Sequence, residues 1–139
     1  MLAGTYQHSI DPKGRLIFPI KLKEALGESF VVCKGVEKCL LVYSHIEWAE
    51  LEARMKILPF SKARDIQRFF FSSACELSVD KQGRLLVPQH LREYAGLSGD
   101  VVIIGAQTRA EIWDGGAWNS YNAEMDQKDI ISMMDELGF

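Results

Sequence analysis

The feature that most limits how this chain can fold is an internal repeat. Residues 9–27, SIDPKGRLIFPIKLKEALG, align with residues 78–96, SVDKQGRLLVPQHLREYAG, after a shift of 69 positions. Nine of the 19 aligned pairs are identical, where about one is expected from average residue frequencies. The identical pairs are Ser9/Ser78, Asp11/Asp80, Gly14/Gly83, Arg15/Arg84, Leu16/Leu85, Pro19/Pro88, Leu22/Leu91, Glu24/Glu93 and Gly27/Gly96. Such self-similarity indicates that one structural unit occurs twice.

The repeat continues after one inserted residue. A shift of 70 positions aligns Val31/Val101, Val32/Val102, Gly35/Gly105, Tyr43/Trp113, Trp48/Trp118 and Met55/Met125. We therefore predict one domain, residues 1–139, built from repeats at about 5–56 and 74–125. A connecting helix is expected at about 61–73 and a C-terminal helix at about 126–137.

Each repeat predicts the same order of elements, β-β-α-β-β, followed by a longer helix. A strand leads into an Asp-x-x-Gly turn, a second strand follows, and a proline then opens a short helix that a glycine ends. The strands predicted after the turns are 15–18, 30–34 and 39–43, then 84–87, 100–104 and 109–113. Predicted N-caps are Ser44 (with Glu47) and Asp114 for the longer helices, and Ser61 for the connecting helix.

The size of the repeat determines how the copies must be arranged. A unit of four short strands buries too little apolar surface to be stable alone. Two copies in one chain are therefore predicted to pair about a pseudo-twofold axis and share one barrel. The predicted fold class is α+β, with helices flanking the barrel.

Composition is typical of a folded globular protein, with 47% hydrophobic and 25% charged residues. No apolar run approaches the roughly 20 residues that cross a bilayer, and the first residues lack the features of a signal peptide. We therefore expect a cytoplasmic protein without a membrane partner. Cys33, Cys39 and Cys75 have no Cys-x-x-Cys spacing and are interpreted as buried thiols. The three histidines also lack ligand spacing, so no metal or cofactor is predicted.

Charge is distributed unevenly between the halves of the chain. The net charge is −3 overall. Residues 1–69 carry 11 Lys and Arg against 8 Asp and Glu, whereas residues 70–139 carry 5 against 11. The first half is therefore the better candidate for binding a polyanion.

The repeated turns carry the candidate functional residues. Arginine supplies a planar donor fork for a guanine edge or a phosphate, and lysine supplies a mobile positive charge. The candidate DNA-binding residues are accordingly Lys13, Arg15, Lys81 and Arg84. The candidate turn-organising residues are Asp11, Gly14, Asp80 and Gly83, because a carboxylate beside phosphates is repelled but readily accepts backbone N–H bonds.

Structural alternatives exist for these residues. Asp11 and Arg15 form an ion pair in one alternative, and the same holds for Asp80 and Arg84. The phenylalanines at 69–71, beside two arginines, are expected to pack in the core or a subunit interface rather than stack on single-stranded nucleic acid.

The paired turns resemble those of the MraZ family of bacterial transcriptional regulators. The resemblance rests on Asp-Pro-Lys-Gly-Arg at 11–15 and Asp-Lys-Gln-Gly-Arg at 80–84, each followed by two apolar residues and proline. The single motif also recurs in the wider AbrB/SpoVT-like superfamily. The resemblance implies a double-split, swapped-hairpin β-barrel assembled into ring-shaped homo-oligomers. It further implies nucleoid-associated, sequence-specific binding to short direct repeats of double-stranded DNA upstream of the family's own division and cell-wall operon.

An enzyme and a non-catalytic structural protein are the alternatives to a DNA-binding protein. The chain has no nucleophile signature and no phosphate-cradling glycine loop, so an enzyme is not predicted. A non-catalytic structural ring or protein-interaction module remains the alternative. Because the second half is acidic, we also expect the first turn to face DNA more directly than the second, unless the assembled protein brings both turns onto one basic surface.

Overall fold

The computed structural model describes all residues, Met1–Phe139, and contains eight strands and six helices. The first repeat comprises β1 (Thr5–Ser9), β2 (Arg15–Ile17), α1 (Ile20–Leu26), β3 (Phe30–Lys34), β4 (Leu40–Tyr43) and α2 (His45–Lys56). The connecting helix is α3 (Phe60–Phe71). The second repeat comprises β5 (Cys75–Leu77), β6 (Arg84–Leu86), α4 (Gln89–Ala95), β7 (Asp100–Gly105), β8 (Ala110–Asp114) and α5 (Gly115–Glu124), and α6 (Gln127–Glu136) follows.

The strands form two antiparallel sheets. Six strands make one sheet in the order β1-β7-β8-β4-β3-β5, and β2 pairs with β6 in a separate two-stranded ladder. The α+β class is confirmed. The strands do not close into a single hydrogen-bonded barrel, because the ladder packs on the large sheet through side chains and meets its neighbouring strand through only one bridge, Ile10 to Leu16.

The two repeats exchange strands. Strand β1 of the first repeat pairs with β7 of the second, whereas β5 pairs with β3. The ladder likewise takes one strand from each repeat, with Leu16 opposite Leu85 at its centre. The central pair of the large sheet, β4 and β8, places Leu41 opposite Glu111. Both central pairs join aligned positions of the two repeats, as a pseudo-twofold axis requires.

The register corrects part of the sequence alignment. Val32 lies opposite Val42, and in the second repeat Ile103 lies opposite Ile112. Val32 is therefore equivalent to Ile103, and the predicted equivalence with Val102 is wrong by one residue. Relative to the shift of 69 at α1 and α4, the second repeat has two more residues before β7 and one fewer in the following turn, so that β8 aligns at a shift of 70. Apolar residues on both faces of these strands hid the slip from sequence comparison.

Apolar clusters cover both faces of the large sheet. The main core of 19 buried residues joins one face to the ladder, α1 and α4. A smaller cluster on the other face contains Cys33, Cys39, Leu41 and Trp113, with Trp48, Phe70 and Trp118 packed against it. The packing expected for the phenylalanines at 69–71 is thus confirmed for Phe70. Burial raises the pKa of Cys33 and Cys39 to about 12, whereas Cys75 is only partly buried.

The predicted helix caps are confirmed at two of three positions. The Glu47 N–H donates to Ser44 Oγ (3.2 Å), and the Ala117 N–H donates to Asp114 Oδ2 (3.0 Å). The prediction for Ser61 is wrong, because α3 begins at Phe60 and its N-cap position is Pro59, which has no side-chain cap. Every residue of α6 is exposed. None of the six helices combines the length and apolar character needed to span a membrane.

We expect the buried centre of the ladder to be essential for stability. Leu16 is 1% exposed in the main core, whereas Ile17, the next residue, is 49% exposed. Leu16→Ala should lower the free energy of unfolding by about 2–5 kcal/mol because it leaves a cavity. Ile17→Ala is the matched control and should cost less than about 1 kcal/mol. Urea denaturation of both variants measures the difference, and equal losses would contradict the assignment of the ladder to the core.

Candidate nucleic-acid interface

A carboxylate organises the first turn. Asp11 Oδ1 accepts hydrogen bonds from the backbone N–H groups of Lys13 (2.9 Å) and Arg15 (2.9 Å). Asp11 Oδ2 accepts a third bond, from Arg15 Nε (2.8 Å). The backbone closes the same turn, since the Asp11 N–H donates to the Arg15 carbonyl (2.8 Å). One side chain thus fixes both the turn and the direction of the arginine.

The second turn has the same geometry. Asp80 Oδ1 accepts from the backbone N–H groups of Gln82 (2.8 Å) and Arg84 (2.9 Å), and Asp80 Oδ2 accepts from Arg84 Nε (2.8 Å). The fourth residue of each turn adopts positive φ, +86° at Gly14 and +75° at Gly83, which favours glycine. The two repeats therefore hold their arginines by the same local device.

The ion pair that the sequence offered as an alternative is present in both turns. It engages Nε of Arg15 and of Arg84 at 2.8 Å. No hydrogen bond within the chain involves the terminal nitrogens of either guanidinium group. Each arginine is about 30% exposed. The carboxylate therefore orients the guanidinium group and leaves its terminal donors free to bind an external acceptor.

The pKa of the Asp11 carboxyl is lowered, chiefly because the backbone N–H of Arg15 donates to its charged form, and despite opposing desolvation. Asp80 shows the same direction for the equivalent reason. A lowered folded-state pKa stabilises the fold above the unfolded value of 3.8, and this contribution is lost as the pH falls through the folded value. The carboxyl groups of Asp11 and Asp80 consequently remain ionised near neutral pH.

The ladder brings both arginines to one surface. Arg15 lies opposite Leu86, and Ile17 lies opposite Arg84. These four side chains share one side of the ladder, because alternate residues of a strand point the same way. We call this surface the ladder face. Its apolar members are exposed, Ile17 at 49% and Leu86 at 57%. Arg15 and Arg84 are diagonal neighbours, with Cα atoms roughly 7–8 Å apart.

Each turn is fastened to the other repeat. The Val87 N–H donates to the Gly14 carbonyl (2.9 Å), and the Phe18 N–H donates to the Gly83 carbonyl (3.0 Å). Because β2 and β6 run antiparallel, the turns lie at opposite ends of the ladder. Lys13 and Lys81 thus flank the ladder face at its two ends, both exposed and without an ion pair. They are not equivalent, because Lys13 aligns with Gln82 and Lys81 aligns with Pro12.

Much of the acidity of the second half is concentrated near the C-terminus. Five of its 11 acidic residues lie in 124–136, at the end of α5 and in the exposed helix α6. The charge count over half the chain therefore does not describe the charge at the second turn.

A serine, a histidine and a glutamate also meet on the surface, where sequence reasoning did not place a cluster. Ser29 Oγ donates to Glu76 Oε1 (3.2 Å) and lies 2.9 Å from His45 Nε2. Glu76 Oε1 approaches the same imidazole nitrogen, at 3.5 Å. A catalytic triad requires the acid on the opposite nitrogen from the nucleophile, so this cluster is not arranged as one. The structure also brings together no group of three or more His, Cys, Asp or Glu side chains suited to hold a metal ion.

The duplicated turns agree with comparison to known proteins. A family model described as "MraZ protein, putative antitoxin-like" matches residues 1–69 and again residues 70–136. The chain belongs to the MraZ family. A protein of Acetivibrio thermocellus named Transcriptional regulator MraZ is 51% identical over 99% of both chains. One of Heliobacterium modesticaldum with the same name is 59% identical over 88% of this chain and 87% of the relative. A third, from Clostridium beijerinckii, is 48% identical over 99% of both. These similarities support a role in transcription regulation.

The ionised state of Asp11 should be measurable through stability. We expect Asp11→Asn to be less stable than the wild type at pH 7, because the neutral amide loses the attraction to Arg15. The difference should shrink as the pH falls below the unfolded-state pKa of 3.8, because the unfolded chain then binds a proton that the folded carboxylate resists, and it should vanish once the pH is below the folded-state pKa. Urea denaturation at pH 7 and pH 3 tests this, with Asp80→Asn as the matched variant. A difference that stays constant with pH would contradict the proposed charge on the turn.

Proposed function

We propose that this chain is a sequence-specific DNA-binding transcriptional regulator that binds short direct repeats upstream of its own division and cell-wall operon. In this proposal it acts as a ring-shaped homo-oligomer in the cytoplasm, associated with the nucleoid, and catalyses no reaction. The relatives' names support the regulatory role, and the resemblance of the turns supports the operon and the ring. The exchange of strands between repeats supports a swapped-hairpin architecture.

The observation that carries the proposal is the ladder face. A two-stranded β-ribbon fits the major groove of B-DNA, which is about 12 Å wide. Arg15 and Arg84 present free guanidinium donors from such a ribbon. Exposed Ile17 and Leu86 lie beside them, and apolar side chains of this kind contact thymine methyl groups. Lys13 and Lys81 are placed to reach phosphates at the two ends of the ribbon.

The equivalent positions of the two arginines change the difference in DNA binding that is expected between the two turns. The charge count favoured the first turn, but the register puts Arg15 and Arg84 at matching positions of one surface. In this proposal both arginines therefore contact the same DNA segment. The ladder would then contact one short DNA site through one arginine from each repeat.

Removing either arginine should weaken binding. We expect Arg15→Ala to cost about 1–3 kcal/mol of binding free energy, and to flatten the slope of log affinity against log salt by about one if the contact is to phosphate. Arg84→Ala should give a comparable loss. Footprinting and gel-shift titration on DNA from upstream of the chain's own gene measure both, with circular dichroism as the folding control. Folded variants that bind like the wild type would refute the site, and a wild type without protected repeats would favour the interaction-module alternative.

Binding should also depend on the spacing of the repeats. One ladder offers few contacts, so neighbouring subunits must each occupy one repeat to reach specific affinity. Inserting about 5 base pairs between two repeats moves one of them to the opposite side of the duplex. We expect a marked loss of affinity in a gel-shift titration. An insertion of about 10 base pairs is the control, because it returns the second repeat to its original side of the duplex. Equal affinity for all three spacings would show that subunits bind independently.

A further inference from the structure

An arginine outside both repeated turns lies against the first of them. Arg92 belongs to α4, in the second repeat, yet its side chain covers Gly14 of the first. A Cβ atom added at Gly14 would lie 2.6 Å from Arg92 Nε and 2.7 Å from Cζ. The guanidinium group therefore packs directly on the backbone of the first turn. The turn motif does not mark this position, because Arg92 lies eight residues after Arg84, the last residue of the second motif.

Hydrogen bonds fix this arrangement. Arg92 Nε donates to the carbonyl of Val87 (2.9 Å). The N–H of Val87 donates in turn to the carbonyl of Gly14 (2.9 Å). Val87 thus connects the arginine to the turn on which it packs. The terminal nitrogens of Arg92 make no hydrogen bond within the chain, and no carboxylate lies within 4 Å of them. Its positive charge is held in place and uncompensated.

The second turn has no such neighbour. Lys23 is the residue of the first repeat that aligns with Arg92. Its Nζ atom pairs with Glu28 (3.4 Å). A Cβ added at Gly83 would have no atom within 4 Å. The two turns share their internal geometry and differ in what the other repeat places on them.

We propose that Arg92 is a third cationic contact of the first turn, binding a DNA phosphate together with Lys13, and that it makes the first turn the stronger of the two. This rests on the DNA binding proposed above. Both side chains carry unpaired positive charge at the same end of the ladder face. At the other end, the positions that align with Lys13 and Arg92 hold the neutral Gln82 and the paired Lys23, and Lys81 supplies positive charge from an unaligned position. The asymmetry arises from these side chains rather than from the acidity of the second half.

The first test is a salt titration of DNA binding on a duplex carrying the repeats protected upstream of the chain's own gene. We expect Arg92→Ala to weaken binding roughly tenfold and to flatten the salt slope by about one. Arg92→Lys should restore the slope, because it keeps the charge. Arg54→Ala is the control, with the same change of charge on α2, which packs on the opposite face of the large sheet. It should change affinity by less than about twofold.

Three outcomes would overturn the proposal. Equal affinities of Arg92→Ala and Arg54→Ala would exclude a DNA contact by Arg92 while leaving the proposed function intact. A loss of binding with an unchanged salt slope and a lowered unfolding midpoint would show a purely structural role. A wild type that does not bind the duplex refutes the proposed function itself, and the Arg92 contact with it.

A second measurement, without DNA, tests the packing on which the proposal depends. Alanine is strained at both glycines because φ is positive, but only at Gly14 must it also displace Arg92. We expect Gly14→Ala to lower the urea midpoint more than Gly83→Ala. Combining each with Arg92→Ala should remove the excess at Gly14 and leave Gly83→Ala unchanged. Equal effects at the two glycines, or no coupling between Gly14 and Arg92, would contradict the packing.

Discussion

The pairing of β2 with β6 underlies both the main core and the candidate interface. It joins the two repeats through Leu16 and Leu85, whose side chains are almost completely buried in the main core. The other side of the same ladder carries Arg15 and Arg84. Burial of one side therefore fixes the position of the other, because alternate residues of a strand point in opposite directions. Folding and the formation of the candidate interface are consequently a single event.

The ion pairs that orient Arg15 and Arg84 also offset part of the positive charge of these arginines. Each donates through Nε to an aspartate four residues earlier, and that aspartate also accepts two backbone N–H bonds. An arginine held in one direction loses less side-chain entropy when it binds a ligand. The carboxylate reduces the net positive charge of the turn, so the unpaired cations nearby, Lys13, Lys81 and Arg92, matter for attraction to a polyanion.

The two repeats share one backbone arrangement, but their side chains differ near the pseudo-twofold axis and at the surface. At the centre of the large sheet, Leu41 faces Glu111, a buried carboxylate. Glu111 accepts from Arg109 Nε (2.9 Å) and Trp113 Nε1 (2.9 Å), and these bonds offset the cost of burying its charge. Similar divergence places Arg92 on the first turn but leaves the second uncovered. Duplication thus provides equivalent backbones, and individual substitutions give the two ends different chemistry.

The duplication, the order of the elements, the turns and the α+β class were predictable from the sequence, because these depend on local patterns: Asp-x-x-Gly-Arg, proline and glycine at helix ends, and capping residues such as Ser44. The tertiary structure was needed to reveal the one-residue slip of β7 and the two separate sheets. It also decided that Arg15 and Arg84 share a surface and that Arg92 covers Gly14. These features depend on pairing and packing between residues about 70 positions apart in the chain, and a local pattern carries no information about which distant strand or side chain will complete it.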